Sequence, residues 1–106
     1  MSERPAQARR DAAHQDVEQH RERLRELDSD IIRLIGLRLR EDRRLQRARR
    51  AAGRASTDLA RENAVLRDYL DALGPSGAQL ALLLIGMARG SDPASGLPDE
   101  HPSHEL

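Results

Sequence analysis

Apolar residues recur at heptad spacing through the first half of the chain. Val17, Leu24, Ile31, Leu45 and Ala52 form one row, and His20, Leu27, Leu34 and Ala48 run beside it. From about Asp11 to Ala52 there is no Pro and the only Gly is Gly36. Ala, Leu, Arg, Glu and Gln dominate this stretch, all good helix formers. The pattern predicts one helix of about 40 residues, roughly 60 Å long at 1.5 Å per residue. A compact 100-residue domain has a radius of gyration of only about 13 Å. So long an amphipathic helix most simply covers its overhang with a second copy of itself, which predicts a dimer.

The segment Gly53 to Asp58 breaks the pattern: Gly53 can end the helix, and Ser56, Thr57 or Asp58 can cap the next. A second helix is expected from about Asp58 to Leu73, with Leu59, Leu66, Leu70 and Leu73 on one face. Gly74-Pro75-Ser76-Gly77 reads as a turn. A third helix, about Ala78 to Arg89, is apolar nearly all round and so is expected to be buried among the others. Gly90 stops it. Residues 91–106 are rich in Pro, Ser and acids, with little to bury, and are expected to be disordered. The fold class is all-α: one long helix and two short ones. The domain reading is a flexible N-terminus over 1–15, a helical domain over 16–90 and a tail over 91–106.

Composition narrows the chemistry. The 106 residues suffice for one domain. With no Cys there is no disulfide, thiolate zinc site or cysteine nucleophile. All 18 basic residues are Arg, and the absence of Lys rules out Schiff-base chemistry and a P-loop. No apolar run reaches the roughly 18 residues that a membrane span requires. No secretory signal is read at the N-terminus, so a cytoplasmic protein is expected.

The zero net charge conceals an asymmetry. Residues 1–54 hold 15 Arg against 10 acids, and residues 55–106 hold 3 Arg against 8 acids. Seven Arg fall between Arg38 and Arg50. That density suggests an anionic partner, although a solvated helix face would give the same composition.

Position separates the arginines better than number. Arg38 occupies the missing place in the row Val17, Leu24, Ile31, Leu45, Ala52. A guanidinium in a core row must be desolvated, which is costly unless it is paired. Arg49 lies eleven residues on, within about 20° of the same face. The two bracket one site around Leu45 and could converge on a small dianion. Glu41 and Asp42 are the alternative partners of Arg38 on its own helix, at about 0.2–0.5 kcal/mol. Glu62 lies between Leu59 and Leu66 on the second helix and needs a donor, from an arginine or from a ligand hydroxyl. No nucleophile has an adjacent base. His14 with Asp11, and His20 with Asp16, lack a third ligand, so no metal is expected. Cations plus one acceptor suit a reaction needing orientation and charge stabilisation without proton transfer.

These residues resemble the all-helical chorismate mutase family. Arg21, Leu27-Asp28, Arg38, Arg49, Asp58, Arg61 and Glu62 keep the spacing of that family's motif over 42 residues without a gap. The stretch GPSGAQLALLLIGMARG looks like the short third helix of its small actinobacterial-type subclass. The resemblance implies an interlocked six-helix homodimer that converts chorismate to prephenate by a Claisen rearrangement, with no cofactor and no covalent intermediate. It implies that Arg38 and the other protomer's Arg21 bind the two carboxylates, Arg49 the ether oxygen and Glu62 the ring hydroxyl. Asp58 and Arg61 would shape the loop side, and Ser91 completes the substrate-binding positions. Arg38, Arg49 and Glu62 are the expected catalytic residues.

Three departures accompany the resemblance. The Gln or Glu that other branches place near the end of the third helix is missing, since the corresponding Ser95 lies beyond Pro93. Glu41 stands where the family has an apolar residue, and Arg43 and Arg44 crowd a face that is normally less charged. The missing donor implies modest intrinsic activity, completed in this subclass by docking onto DAHP synthase. Alternatives are an isochorismate–pyruvate lyase or a 4-amino-4-deoxychorismate mutase on the same scaffold, or a non-enzymatic Arg-rich dimer that binds nucleic acid. Against the last, Arg38 falls on a core row.

Overall fold

The computed structural model describes residues 3–90 and is helical apart from its connections. Helix α1 spans Glu3–Ala51, α2 Leu59–Leu73 and α3 Pro75–Ala88. The expected tail, 91–106, and Ser91 with it, lie outside the described residues. The chain divides between Leu34 and Ile35 into two units.

The first unit is the leading part of α1. It begins at Glu3, ahead of the expected start near Asp11. Local pairing extends the helix there: Gln7 Nε2 donates to Asp11 Oδ1 at 3.1 Å, and Arg10 Nη2 to Gln7 Oε1 at 2.9 Å. Further along, arginines pair with acids three residues away, as in Arg21–Glu18 and Arg23–Glu26, both at 3.1 Å. The apolar residues of this unit, Val17, Leu24, Leu27, Ile31, Ile32 and Leu34, are all exposed.

The second unit holds the end of α1, α2 and α3. Gly53, at φ +78°, ends α1. Asp58 caps α2, accepting the Arg61 backbone N–H at Oδ1 over 3.1 Å. Gly74 closes α2 and opens α3 at once: its N–H donates to the Leu70 carbonyl at 2.8 Å, and its own carbonyl accepts from Gly77 at 2.8 Å. It does so at φ +78°, where a side chain would be strained.

The expected turn at 74–77 is therefore shorter than read. Pro75 is already in the first turn of α3, where its missing N–H costs nothing. Gly77 is buried there against α2, and a Cβ on it would lie 2.3 Å from the Tyr69 carbonyl oxygen. The glycine permits the close helix crossing and does not break the helix.

The apolar core is correspondingly small: Ala81, Leu84, Ile85 and Ala88, all on α3. The expectation that α3 is buried all round is corrected: Leu80, Leu82 and Leu83 remain exposed. Only one stripe of α3 meets the other helices of the same chain.

Candidate active site

The end of α1 meets its neighbours largely through polar groups. Arg43 Nη2 donates to the Met87 carbonyl at 3.4 Å and Gln46 Nε2 to the Ala88 carbonyl at 3.2 Å. Both add a donor to carbonyls in the last turn of α3, where the i→i−4 ladder runs out; the Met87 carbonyl also accepts the Gly90 N–H at 3.1 Å. One turn earlier on α1, the Asp42 carboxylate is buried, with its side chain 7 % exposed. Charged groups so buried require partners, and three donors surround it. Arg61 Nη2, from α2, reaches both carboxylate oxygens at 3.4 and 3.5 Å. Gln46 Nε2 lies 3.5 Å from Oδ1, and Arg38 Nη1 lies 3.5 Å from Oδ2.

Arg38, Asp42 and Arg61, with Glu41 and Leu45, wall a pocket of about 230 Å³. Two of its cationic nitrogens, Arg38 Nη1 and Arg61 Nε, are buried with no hydrogen-bond partner among the described residues. Arg38 Nη1 is close to Asp42 without the geometry of a hydrogen bond. An unsatisfied buried donor typically costs about 1–3 kcal/mol, more when charged.

The other site residues expected from sequence take protein partners. Arg49 Nε donates to the Ala55 carbonyl at 2.8 Å, and its Nη1 pairs with Asp58 Oδ2 at 3.3 Å. Asp58 thus caps α2 with one oxygen and anchors Arg49 with the other. The mostly buried Glu62 carboxylate pairs with Arg89, at the C-cap of α3. Arg38, Leu45 and Arg61 share the pocket wall, whereas Arg49, Asp58 and Glu62 do not line it. Arg21 belongs to the first unit, where it is exposed and paired with Glu18.

Asp42, one of the two partners expected for Arg38 on its own helix, is the one that pairs with it; its link to Arg61 spans 19 residues and had no local signal. Arg89, 27 residues from Glu62, had none at all. A separate pocket of about 140 Å³ is lined by Arg40, Arg43, Arg44 and Arg47 on one face of α1. Arg44 in that group pairs with Glu41 at 3.4 Å.

Comparison with known proteins identifies the family. An intracellular chorismate mutase of Mycolicibacterium smegmatis is 37% identical over 75 residues, which cover 71% of this chain and 72% of the relative. The chain belongs to the chorismate mutase family. Intracellular chorismate mutases of Mycobacterium tuberculosis and Mycobacterium bovis are each 33% identical over 75 residues, covering 71% of this chain and 70% of theirs. No protein-family model and no solved structure matches the chain. As in any chorismate mutase, an isomerase, the site must be judged by how it holds one small molecule. Among the described residues, no helix is long and apolar enough to cross a membrane.

Proposed function

We propose that this chain is a chorismate mutase that acts by electrostatic and conformational catalysis, without a cofactor. The observation that carries the reading is the pair of guanidinium groups, Arg38 and Arg61, on the wall of one pocket, each with a buried nitrogen that makes no hydrogen bond. The reaction breaks the ether C–O bond of chorismate while a new C–C bond forms within the same molecule. Six electrons move in a ring, and no proton or group leaves. Such a step gains from a held reactive conformation and from positive charge placed where the ether oxygen becomes negative. Arg38 takes a carboxylate. Arg49 serves the ether oxygen, and Asp58 and Arg61 frame the loop side. Glu62 accepts the ring hydroxyl by exchanging its Arg89 partner for the substrate.

The second carboxylate is met by Arg21 of another copy, in a six-helix homodimer. The exposed apolar row of the first unit and the exposed leucines of α3 support that assembly. Fully burying one such side chain contributes about 1.5–3 kcal/mol. The helix bearing Arg21 has no other element of its own unit to lie against.

The deciding experiment incubates purified protein with chorismate, isochorismate and 4-amino-4-deoxychorismate and follows loss of each. Selective conversion of chorismate to prephenate is expected. Preferential loss of either other compound would move the chain to a sister activity. The same assay run with and without the cognate DAHP synthase tests the partner. Catalytic efficiency should rise when the synthase is present, and an unchanged rate at saturating synthase would leave a stand-alone enzyme.

A further inference from the structure

Asp42 is an unexpected group to find in a pocket proposed for a dianion. Its carboxylate is more deeply buried than any other charged side chain among the described residues. It lines the same cavity as Arg38 and Arg61 and contacts both. Two effects of its charge oppose each other. A fixed negative charge repels an incoming carboxylate. The same charge holds two guanidinium groups, from different helices, side by side where they would otherwise repel and turn toward solvent.

The geometry favours the second effect. Asp42 engages Arg61 through Nη2 alone, at both of its oxygens, and so leaves Nε unused. It faces Arg38 Nη1 at 3.5 Å as an ion pair, and the rest of the Arg38 guanidinium stays on the pocket wall. Gln46, anchored to the end of α3, lies against Asp42 Oδ1 and limits its rotation. The result is two partly exposed guanidinium groups from different helices, held on the wall of one pocket by the carboxylate between them.

We infer that Asp42 is the positioning residue of this site, aligning the guanidinium groups of Arg38 and Arg61 across α1 and α2 so that together they receive one carboxylate of the substrate. The inference rests on the chorismate mutase reading for the identity of that substrate. It does not rest on it for the arrangement of the arginines.

The test therefore has two readouts, applied to the full chain, Asp42→Asn and Asp42→Ala. The first is the arginine side-chain Nε–H NMR spectrum without substrate. The wild type should show a resolved, slowly exchanging Arg61 signal, shifted in Asp42→Asn and broadened or lost in Asp42→Ala. The second is steady-state kinetics with chorismate. Positioning predicts that Asp42→Ala raises KM, lowers kcat and costs about 10–100-fold in kcat/KM, the scale of a slightly misplaced binding group. Asp42→Asn, which keeps the shape and one acceptor, should recover part of the loss. An Arg61 signal unchanged in Asp42→Ala would overturn the inference, and so would a lower KM in Asp42→Asn, since charge repulsion would then dominate. If circular dichroism shows Asp42→Ala unfolded, the isosteric Asp42→Asn carries both readouts. A wild type inert toward chorismate would defeat the substrate reading, while the spectra would still decide the role of Asp42.

Discussion

Arg49 and Arg47 are two residues apart on α1, yet their surroundings differ. Arg49 is mostly buried, anchored by Ala55 and Asp58, whereas Arg47 is exposed. If Arg49 stabilises the charge that develops on the ether oxygen, Arg49→Ala should lower kcat more than it raises KM, by about 10²–10³-fold, as for a typical oxyanion donor. Arg47→Ala should change little, and equal, mild effects in steady-state kinetics would show that the arginines form only a charged surface. Asp58→Ala should act on both stability and rate. Loss of its cap costs about 0.5–2 kcal/mol, measurable by denaturant unfolding, and it also frees the Arg49 guanidinium. At this scale the sequence was partly legible. Arg38 stood out because it interrupts a heptad row, and Glu62 because it sits on a helix's apolar stripe. The Arg38–Asp42 pair was legible as an i,i+4 spacing, whereas Asp42–Arg61 and Arg89–Glu62 join residues distant in sequence, and no periodicity encodes such pairing.

The elements follow their local chemistry closely. Asp58 was one of three candidate caps and is the one whose carboxylate accepts the Arg61 N–H. Gly53 and Gly90 stop their helices at positive φ. The misreading came at Gly74–Gly77, where a Gly-Pro-Ser-Gly string looks like a loop. Pro is well suited to a first helical turn, however, and a glycine can be required by a neighbouring helix instead of by a turn. Gly77→Ala tests that explanation. Its Cβ would meet backbone of α2 and the Leu73 Cβ at 2.6 Å, so the helices must separate. Overpacking of this kind costs about 1–3 kcal/mol. A fall in the thermal midpoint is expected, and an unchanged midpoint would mean the crossing readily yields.

At the scale of the whole molecule, the question is what covers the apolar surface that one chain leaves open. Four buried apolar residues are a slender core for a domain of this size. A homodimer predicts sedimentation near twice 11.9 kDa at micromolar concentration. Ile31→Glu, on the exposed row, should shift the species toward a single chain and reduce its helicity, because isolated helices are marginal in water. A wild type that stays monomeric and fully helical would remove the shared site along with the assembly.

The hinge at Gly74 has a kinetic corollary. Because one residue terminates α2 and starts α3, the packed pair is contiguous in sequence, from Leu59 to Ala88. Contacts between near neighbours in the chain form early, typically within microseconds to milliseconds. A chain diluted from denaturant should therefore collapse this hairpin in a fast phase indifferent to protein concentration. If the chain works as the proposed homodimer, pairing of two chains follows as an encounter reaction, whose rate rises with concentration. Stopped-flow ellipticity would resolve the two, and recovery of mutase turnover should track only the second. With a site shared between two copies, newly made chains would pass through an interval in which they are helical yet catalytically silent, its length set by how many copies the cell holds.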